Sequence, residues 1–186
     1  MTAKKSPEQQ LFCRISSAWL PPPDLTVSEW ADEFRRIPPE ASAEPGIWRT
    51  SRAEYQREVM NAVSNPLTER VVMMTAAQVG KSEILLNVVG YFIDQEPSPI
   101  LLIQPTIEMG ESFSKDRVAP MVRDTPCLRE KIHDSKTRFS GNTIKEKKFP
   151  GGQITIAGAN SPASLASRPI RVLLCDEVDR YPVSAG

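Results

Sequence analysis

A glycine–lysine–serine segment in the first half of the chain has the residue types of a phosphate-binding loop. It spans Thr75–Ser82, follows an apolar run and precedes a helical pattern. In such a loop, successive backbone N–H groups and the helix N-terminus hold phosphates. Lys81 would then contact the β- and γ-phosphates, and Ser82 would bind Mg²⁺. Thr75 stands where the usual pattern has its first glycine, but the flanking strand and helix patterns restore the nucleotide-binding interpretation.

A carboxylate pair near the other end of the chain complements this loop. Asp176 and Glu177 directly follow the apolar run Val172–Cys175. At the end of a buried strand, Asp176 can hold the Mg²⁺ shell while Glu177 activates a water molecule as general base. An ordinary solvated acidic turn is the alternative. The presence of Lys81 and Ser82 in the same chain favours the catalytic interpretation. Together the two segments indicate hydrolysis of ATP with Mg²⁺.

Four further positions carry candidate roles, each with an ordinary alternative. Gln78 lies inside the loop, where it could approach the γ-phosphate as a catalytic side chain or be a solvated polar residue. Tyr55 and Gln56 precede the loop at a place where several motor families read adenine by stacking and amide hydrogen bonds, although Tyr55 could equally be a core aromatic. Arg168 could sense phosphate or DNA, or lie on the surface. The predicted nucleotide-binding set is Tyr55, Gln56, Thr75, Ala76, Ala77, Gln78, Val79, Gly80, Lys81 and Ser82.

Alternating apolar and helical patterns predict the elements that position these residues. In order they are strand 70–75, helix 81–94, strand 100–104, helix 106–118, a hairpin of strands 143–149 and 153–157, and strand 171–176. Continuous apolar runs such as Ile100–Ile103 are typical of strands buried on both faces. The pattern therefore predicts an α/β fold with a parallel central sheet flanked by helices.

The first 50 residues differ in character from the rest. They contain seven prolines, which exclude long helices there. We expect an irregular, partly helical arm over residues 1–50, followed by an ATPase domain over residues 51–186. One short amphipathic helix fits Thr26–Phe34, and a second fits residues 53–63.

Bulk composition narrows the class of protein. Lys and Arg total 23, as do Asp and Glu, so any contact with a polyanion must be local. The three cysteines lack zinc-ligand or disulfide spacing. No apolar run approaches the roughly 20 residues that span a bilayer. These features predict a soluble, cytosolic chain with no membrane partner.

Several segments in combination resemble one family, the large terminase subunit of tailed bacteriophages, of the lambda-like GpA type. The segments are Ser28–Asp32, Ala41–Trp48, Tyr55–Glu58, Ala76–Ser82, Leu165–Pro169 and Leu174–Pro182. Terminase phosphate loops commonly lack the first glycine and carry Gln or Arg where Gln78 stands. The resemblance therefore accounts for Thr75.

This resemblance implies a RecA-like, P-loop ATPase that uses ATP and Mg²⁺ to drive double-stranded DNA through the portal into the procapsid. It implies further partners: a small terminase subunit bound by residues 1–50, the portal and procapsid, and other copies of the subunit on the portal. It also implies the cytoplasm of the infected bacterial host as the location. Family members add an endonuclease that cuts genome ends, and we expect these 186 residues not to include it.

The resemblance also implies an incomplete sheet. In motor ATPases of this kind, a strand that follows Glu177 inserts between the phosphate-loop strand and the Asp176 strand, and only nine residues follow Glu177 here. We expect that gap to leave backbone groups unpaired. Two alternatives stay open. Asp176–Asp179 also resembles the Asp-Glu-x-Asp box of a helicase-like DNA translocase, and a truncated, non-catalytic binding module would keep only vestigial nucleotide affinity.

Overall fold

A computed structural model describes residues 6, 24–132, 142–161, 165 and 169–183. The helices are α1 (Val27–Phe34), α2 (Tyr55–Ser64), α3 (Lys81–Asp94), α4 (Ile107–Phe113), α5 (Ala119–Asp124) and α6 (Pro126–Lys131). The strands are β1 (Arg36–Ile37), β2 (Gly46–Ile47), β3 (Ile100–Gln104), β4 (Glu146–Phe149), β5 (Gly152–Gly158) and β6 (Val172–Cys175). The described residues also form two 3₁₀ turns, Thr50–Ala53 and Val178–Arg180, and one π-helical turn, Ser114–Val118.

The main sheet has four strands in the order β4-β5-β3-β6. β3 pairs in parallel with both β5 and β6, and β4 is an antiparallel edge strand on β5. All five residues of β3 are buried, as its uninterrupted apolar sequence predicts for a central strand covered on both faces. The predicted α/β fold is therefore confirmed, but the predicted parallel central sheet is only mostly parallel, since its β4–β5 pair is antiparallel.

α1 packs the start of the described chain into the core of the molecule. Thr26 and Glu29 form a capping box, in which the Thr26 N–H donates to Glu29 Oε2 over 2.8 Å. Trp30 is fully buried against α3, where a Cβ added to Gly90 would lie 2.1 Å from its ring. The helix predicted over Thr26–Phe34 is confirmed. α1 and α3 contribute side chains to the same hydrophobic core. The predicted division of the chain at residue 50 stays a prediction.

Most of the other predicted elements are confirmed within a few residues. α2 follows the 3₁₀ turn, α3 covers the predicted range, and β3, β5 and β6 match their predicted strands. The helix predicted over 106–118 is α4 followed by the π-helical turn, in which Ser114 is buried. The β4–β5 hairpin turns through Gly151, whose φ of +85° favours glycine. No described helix is long and apolar enough to cross a membrane.

The strand predicted over residues 70–75 is wrong. This segment has no strand structure and pairs with no strand of the described residues. Val72 is 81% and Met74 98% exposed, although Met73 packs against the core. The physical reason is that apolar side chains predict burial, whereas a strand also needs a neighbouring backbone to pair with. The outer edge of β6 likewise has no paired strand among the described residues.

Candidate active site

The predicted phosphate loop contains two left-handed residues within the three positions before α3. Gln78 has a φ of 60° and Gly80 a φ of 80°. The Gly80 carbonyl accepts the N–H groups of Glu83 and Ile84, at 3.0 and 3.2 Å, so it begins the helix. Lys81 and Ser82 are the first two residues of α3 and are half-buried. The four residues before Val79 are exposed, namely Thr75, Ala76, Ala77 and Gln78.

Two side chains of α2 hold this loop through one carbonyl. The Tyr55 hydroxyl donates to Val79 O over 2.9 Å, and Gln56 Nε2 donates to the same oxygen over 3.0 Å. Tyr55 is 64% exposed, so its interpretation as a core aromatic is wrong. Gln56 is only 3% exposed, and its buried Oε1 has no hydrogen-bond partner within the described part of the chain.

An ion-pair cluster joins the buried Arg35 to Glu83 in the first turn of α3, and it was not predicted from the sequence. Arg35 is fully buried, and its Nη2 donates to Glu83 Oε2 over 2.9 Å. Burial lowers the pKa of Arg35, and the negative charge of Glu83 opposes that shift. Arg117 Nη1 lies 3.7 Å from Glu83 Oε1. The cluster ties the residue after Ser82 to the segment after α1 and to the π-helical turn.

Asp176 lies immediately after β6 and is fixed from β3. It is 8% exposed, and its Oδ2 accepts a hydrogen bond from Gln104 Nε2 over 3.0 Å. Its backbone N–H donates to Ile103 O, also over 3.0 Å. Parallel strands end at the same edge of a sheet, which brings the last residues of β3 beside the carboxylate.

Glu177 adopts a strained backbone conformation beside Asp176. Its φ of 50° and ψ of 47° are left-handed, and it begins the second 3₁₀ turn. Among the described residues, Gln78 and Glu177 are the two non-glycine residues with a positive φ. Arg180 Nη1 lies 2.9 Å from Glu177 Oε2, an ion pair by distance that lacks hydrogen-bond geometry. Because Arg180 is exposed, this pair holds Glu177 only weakly.

Tyr181 closes the turn that carries the two carboxylates. Its hydroxyl donates to Ile103 O over 2.9 Å, the same oxygen that accepts the Asp176 N–H. Burial raises the pKa of the Tyr181 phenol well above its usual range, so it stays a donor. Neither Tyr181 nor Gln104 was predicted as a site residue. A polar Gln104 ending an otherwise apolar, buried strand was the available signal.

The predicted site residues thus fall into two groups. Tyr55, Gln56 and the loop meet at Val79, while Asp176 and Glu177 are held by β3. Among the described residues, no hydrogen bond or ion pair joins the two groups. Arg168 lies outside the described residues, so its predicted role stays a prediction.

The arrangement defines an α/β domain with polar residues gathered at the start of α3 and at the end of β6. Residues 42–186 match the family model described as "Phage terminase large subunit gpA, ATPase domain". The chain therefore belongs to the phage terminase large subunits, and the resemblance inferred from its sequence is confirmed.

Individual relatives agree with the family model. The chain is 31% identical over 161 residues to the terminase large subunit of Enterobacteria phage P21, an alignment that covers 86% of this chain and 25% of the relative. It is 33% identical over 139 residues to the terminase large subunit of Escherichia phage lambda, covering 75% of this chain and 21% of the relative. The chain spans about a quarter or less of the length of these relatives. No solved structure matches the chain significantly.

Proposed function

We propose that this domain is a P-loop, RecA-like ATPase that binds ATP through residues 75–82 and hydrolyses it with Asp176 and Glu177. The observation that carries the proposal is the positive φ of Gln78 and Glu177. Left-handed conformations of non-glycine residues are costly and cluster at active sites. The two that occur among the described residues fall on two positions predicted as catalytic from the sequence alone.

The side chains at the start of α3 fit a bound nucleotide. Lys81 and Ser82 lie on the first turn of a 14-residue helix, whose N-terminus favours anions. The left-handed Gln78 and Gly80 flank Val79, a local geometry that turns successive N–H groups toward an anion. The exposed Tyr55 ring is available for stacking on adenine, and Gln56, the next residue of α2, is proposed to complete the nucleotide contact.

In this proposal each residue has a defined task. Lys81 neutralises charge on the β- and γ-phosphates, Ser82 and Asp176 hold the metal, and Glu177 orients and deprotonates the attacking water. Gln78 approaches the γ-phosphate. Mg²⁺, when bound, supplies further neutralisation of the phosphate charge. Arg168 is proposed to sense phosphate or DNA.

We further propose that the full-length protein uses this activity to package double-stranded DNA into the procapsid through the portal, as several copies, in the cytoplasm of the infected bacterial host. The small terminase subunit is its proposed partner at residues 1–50, and cutting of genome ends is proposed for the remainder of the full-length protein. The terminase family match favours this role over a helicase-like translocase. Measured ATP turnover would exclude the non-catalytic binding module.

The experiment measures ATP binding and turnover of the full-length protein. Lys81→Ala should abolish turnover, because the phosphate charge loses its main cation. Glu177→Gln should retain ATP binding and block hydrolysis, since an amide cannot accept the proton of water. Two exposed residues provide matched controls, Lys115→Ala and Glu130→Gln, and both should behave as wild type. Normal turnover by Glu177→Gln would refute its role as base, and no turnover by the wild-type protein would refute the ATPase itself.

A further inference from the structure

Gln104 is a buried polar residue at the end of the central strand, and neither sequence motif includes it. Its side chain is 3% exposed and donates through Nε2 to Asp176 Oδ2 over 3.0 Å. The other four residues of β3 are apolar. Burying an amide costs desolvation free energy, and a hydrogen bond offsets that cost. An apolar residue would avoid the cost altogether, so the glutamine points to a role for its hydrogen bond to Asp176.

The backbone aligns Gln104 with Asp176 before any side chain acts. The parallel register of β3 and β6 pairs Ile103 with Cys175, so the next residues on the two strands are Gln104 and Asp176. The Asp176 N–H donates to Ile103 O, which keeps this alignment one residue beyond the sheet. The side-chain hydrogen bond therefore joins two neighbours whose main chains are already fixed.

In this hydrogen bond a neutral amide is the donor and Asp176 is the acceptor, which suits a carboxylate that binds a cation. A glutamine amide donates without carrying charge, so it orients Asp176 without neutralising it. The recorded side-chain hydrogen bond engages Oδ2, and Oδ1 takes no part in it. Groups that orient a metal-binding carboxylate in this way typically change metal affinity about 10–100-fold when they are removed.

We propose that Gln104 is a positioning residue for Asp176: its hydrogen bond to Oδ2 fixes the orientation of the carboxylate that would hold the metal. This inference rests on the proposed function, in which Asp176 holds Mg²⁺. Gln104 itself touches neither nucleotide nor metal. Its removal leaves the Asp176 carboxylate free to rotate and weakens metal binding without altering the phosphate loop.

The test measures the full-length protein with Gln104 replaced by Leu. The readouts are the Mg²⁺ concentration that gives half-maximal ATP turnover, and the affinity for Mn²⁺ in the presence of ADP, measured by electron paramagnetic resonance without turnover. We expect both to weaken about 10–100-fold. ADP affinity in the absence of metal should be unchanged. Gln104→Met keeps the unbranched shape and provides the same test if the Leu substitution prevents folding.

Two control variants separate the possible failures. Gln153→Leu makes the same chemical change near the start of β5, at the opposite end of the sheet from Gln104, and should leave both metal readouts unchanged. Asp176→Asn should lose Mn²⁺ binding. If Asp176→Asn loses metal and folded Gln104→Leu and Gln104→Met bind it normally, the positioning role is overturned. If Asp176→Asn binds metal normally, the proposed function is overturned instead.

Discussion

The two halves of the candidate site are built in different ways. The carboxylate half lies at the end of two paired, parallel strands, and three hydrogen bonds from Gln104, Asp176 and Tyr181 fix it to β3. The phosphate half follows an unpaired, exposed segment and is held from α2 through the single carbonyl of Val79. The difference teaches that the carboxylates take their geometry from the sheet, whereas the loop takes its geometry from the helices on either side of it.

The largest predicted effect comes from comparing β3, which supports the carboxylate half, with residues 70–75, which precede the phosphate half. Leu102 in β3 is fully buried, so Leu102→Ala should lower the free energy of unfolding by about 2–5 kcal/mol. Met74 is 98% exposed, and Met74→Ala should change it by less than about 0.5 kcal/mol. Chemical denaturation of both variants measures the difference. A loss of several kcal/mol for Met74→Ala would show that residues 70–75 are buried, and the contrast between the halves would disappear.

The same contrast separates the elements that the sequence predicts correctly from the one that it does not. The apolar runs of β3 and β6, the capping box of α1 and the helical pattern of α3 are local signals, and the structure agrees with each. Residues 70–75 show the same kind of apolar run and form no strand. The resemblance had implied that another strand separates this segment from the Asp176 strand, and the described residues provide none. Pairing is a property of two segments, so no single run could reveal it.

The candidate site divides along the same line. Residues that act through type and spacing, such as Lys81 and Asp176, could be chosen from sequence. Tyr181 and Arg35 could not, because their hydrogen-bond partners lie more than forty residues away in sequence. Gln104 offered one local signal, its polarity at the end of an apolar run, but its partner Asp176 is equally distant. The strained backbone of Gln78 and Glu177 was equally hidden, since left-handed φ values are predictable for glycine and not for these residue types.

The next prediction, of intermediate effect on stability, concerns the side-chain contacts that hold the C-terminal end of α3. Asp94 at its C-terminal end accepts from Trp30 Nε1 over 2.9 Å and from Lys131 Nζ over 2.7 Å. If the helix fixes the phosphate half from behind, Asp94→Asn should lower the free energy of unfolding by about 1.5–3 kcal/mol at neutral pH, the loss typical of hydrogen bonds to a charged group. Asp116→Asn, an exposed residue, is the matched control.

The effect of Asp94 should depend on pH with a definite sign. Burial tends to raise its pKa, but the hydrogen bonds from Lys131, Gln95 and Trp30 outweigh it, so the pKa is lowered. The unfolded chain then binds the proton more tightly than the folded one, and stability falls as the pH falls. The contribution is complete above the unfolded value of about 4 and is lost as the pH drops through the folded pKa. A constant difference between wild type and Asp94→Asn from pH 7 to pH 2 would contradict this anchor.

The smallest predicted effect on stability concerns the two side chains that hold the loop, Tyr55 and Gln56. Tyr55→Phe removes a hydroxyl whose hydrogen bond is exposed, and it should cost about 0.5 kcal/mol. Hydrogen exchange of the amides of residues 76–80 should rise slightly. Gln56→Met removes a buried donor to the same oxygen and should raise exchange more. Equal exchange in both variants would mean that burial does not distinguish the two hydrogen bonds.

Tyr55 also allows its two proposed tasks to be separated. Tyr55→Phe keeps the aromatic ring and loses only the hydrogen bond to Val79, whereas Tyr55→Leu loses both. If the ring stacks on adenine, ATP affinity should fall much further for Leu than for Phe, by about 1–3 kcal/mol if stacking here resembles that of nucleic-acid bases on aromatic side chains. If both variants lose affinity equally, Tyr55 acts through the loop alone. The phosphate half would then depend on Tyr55 as the carboxylate half depends on Tyr181, through one hydroxyl on one backbone carbonyl.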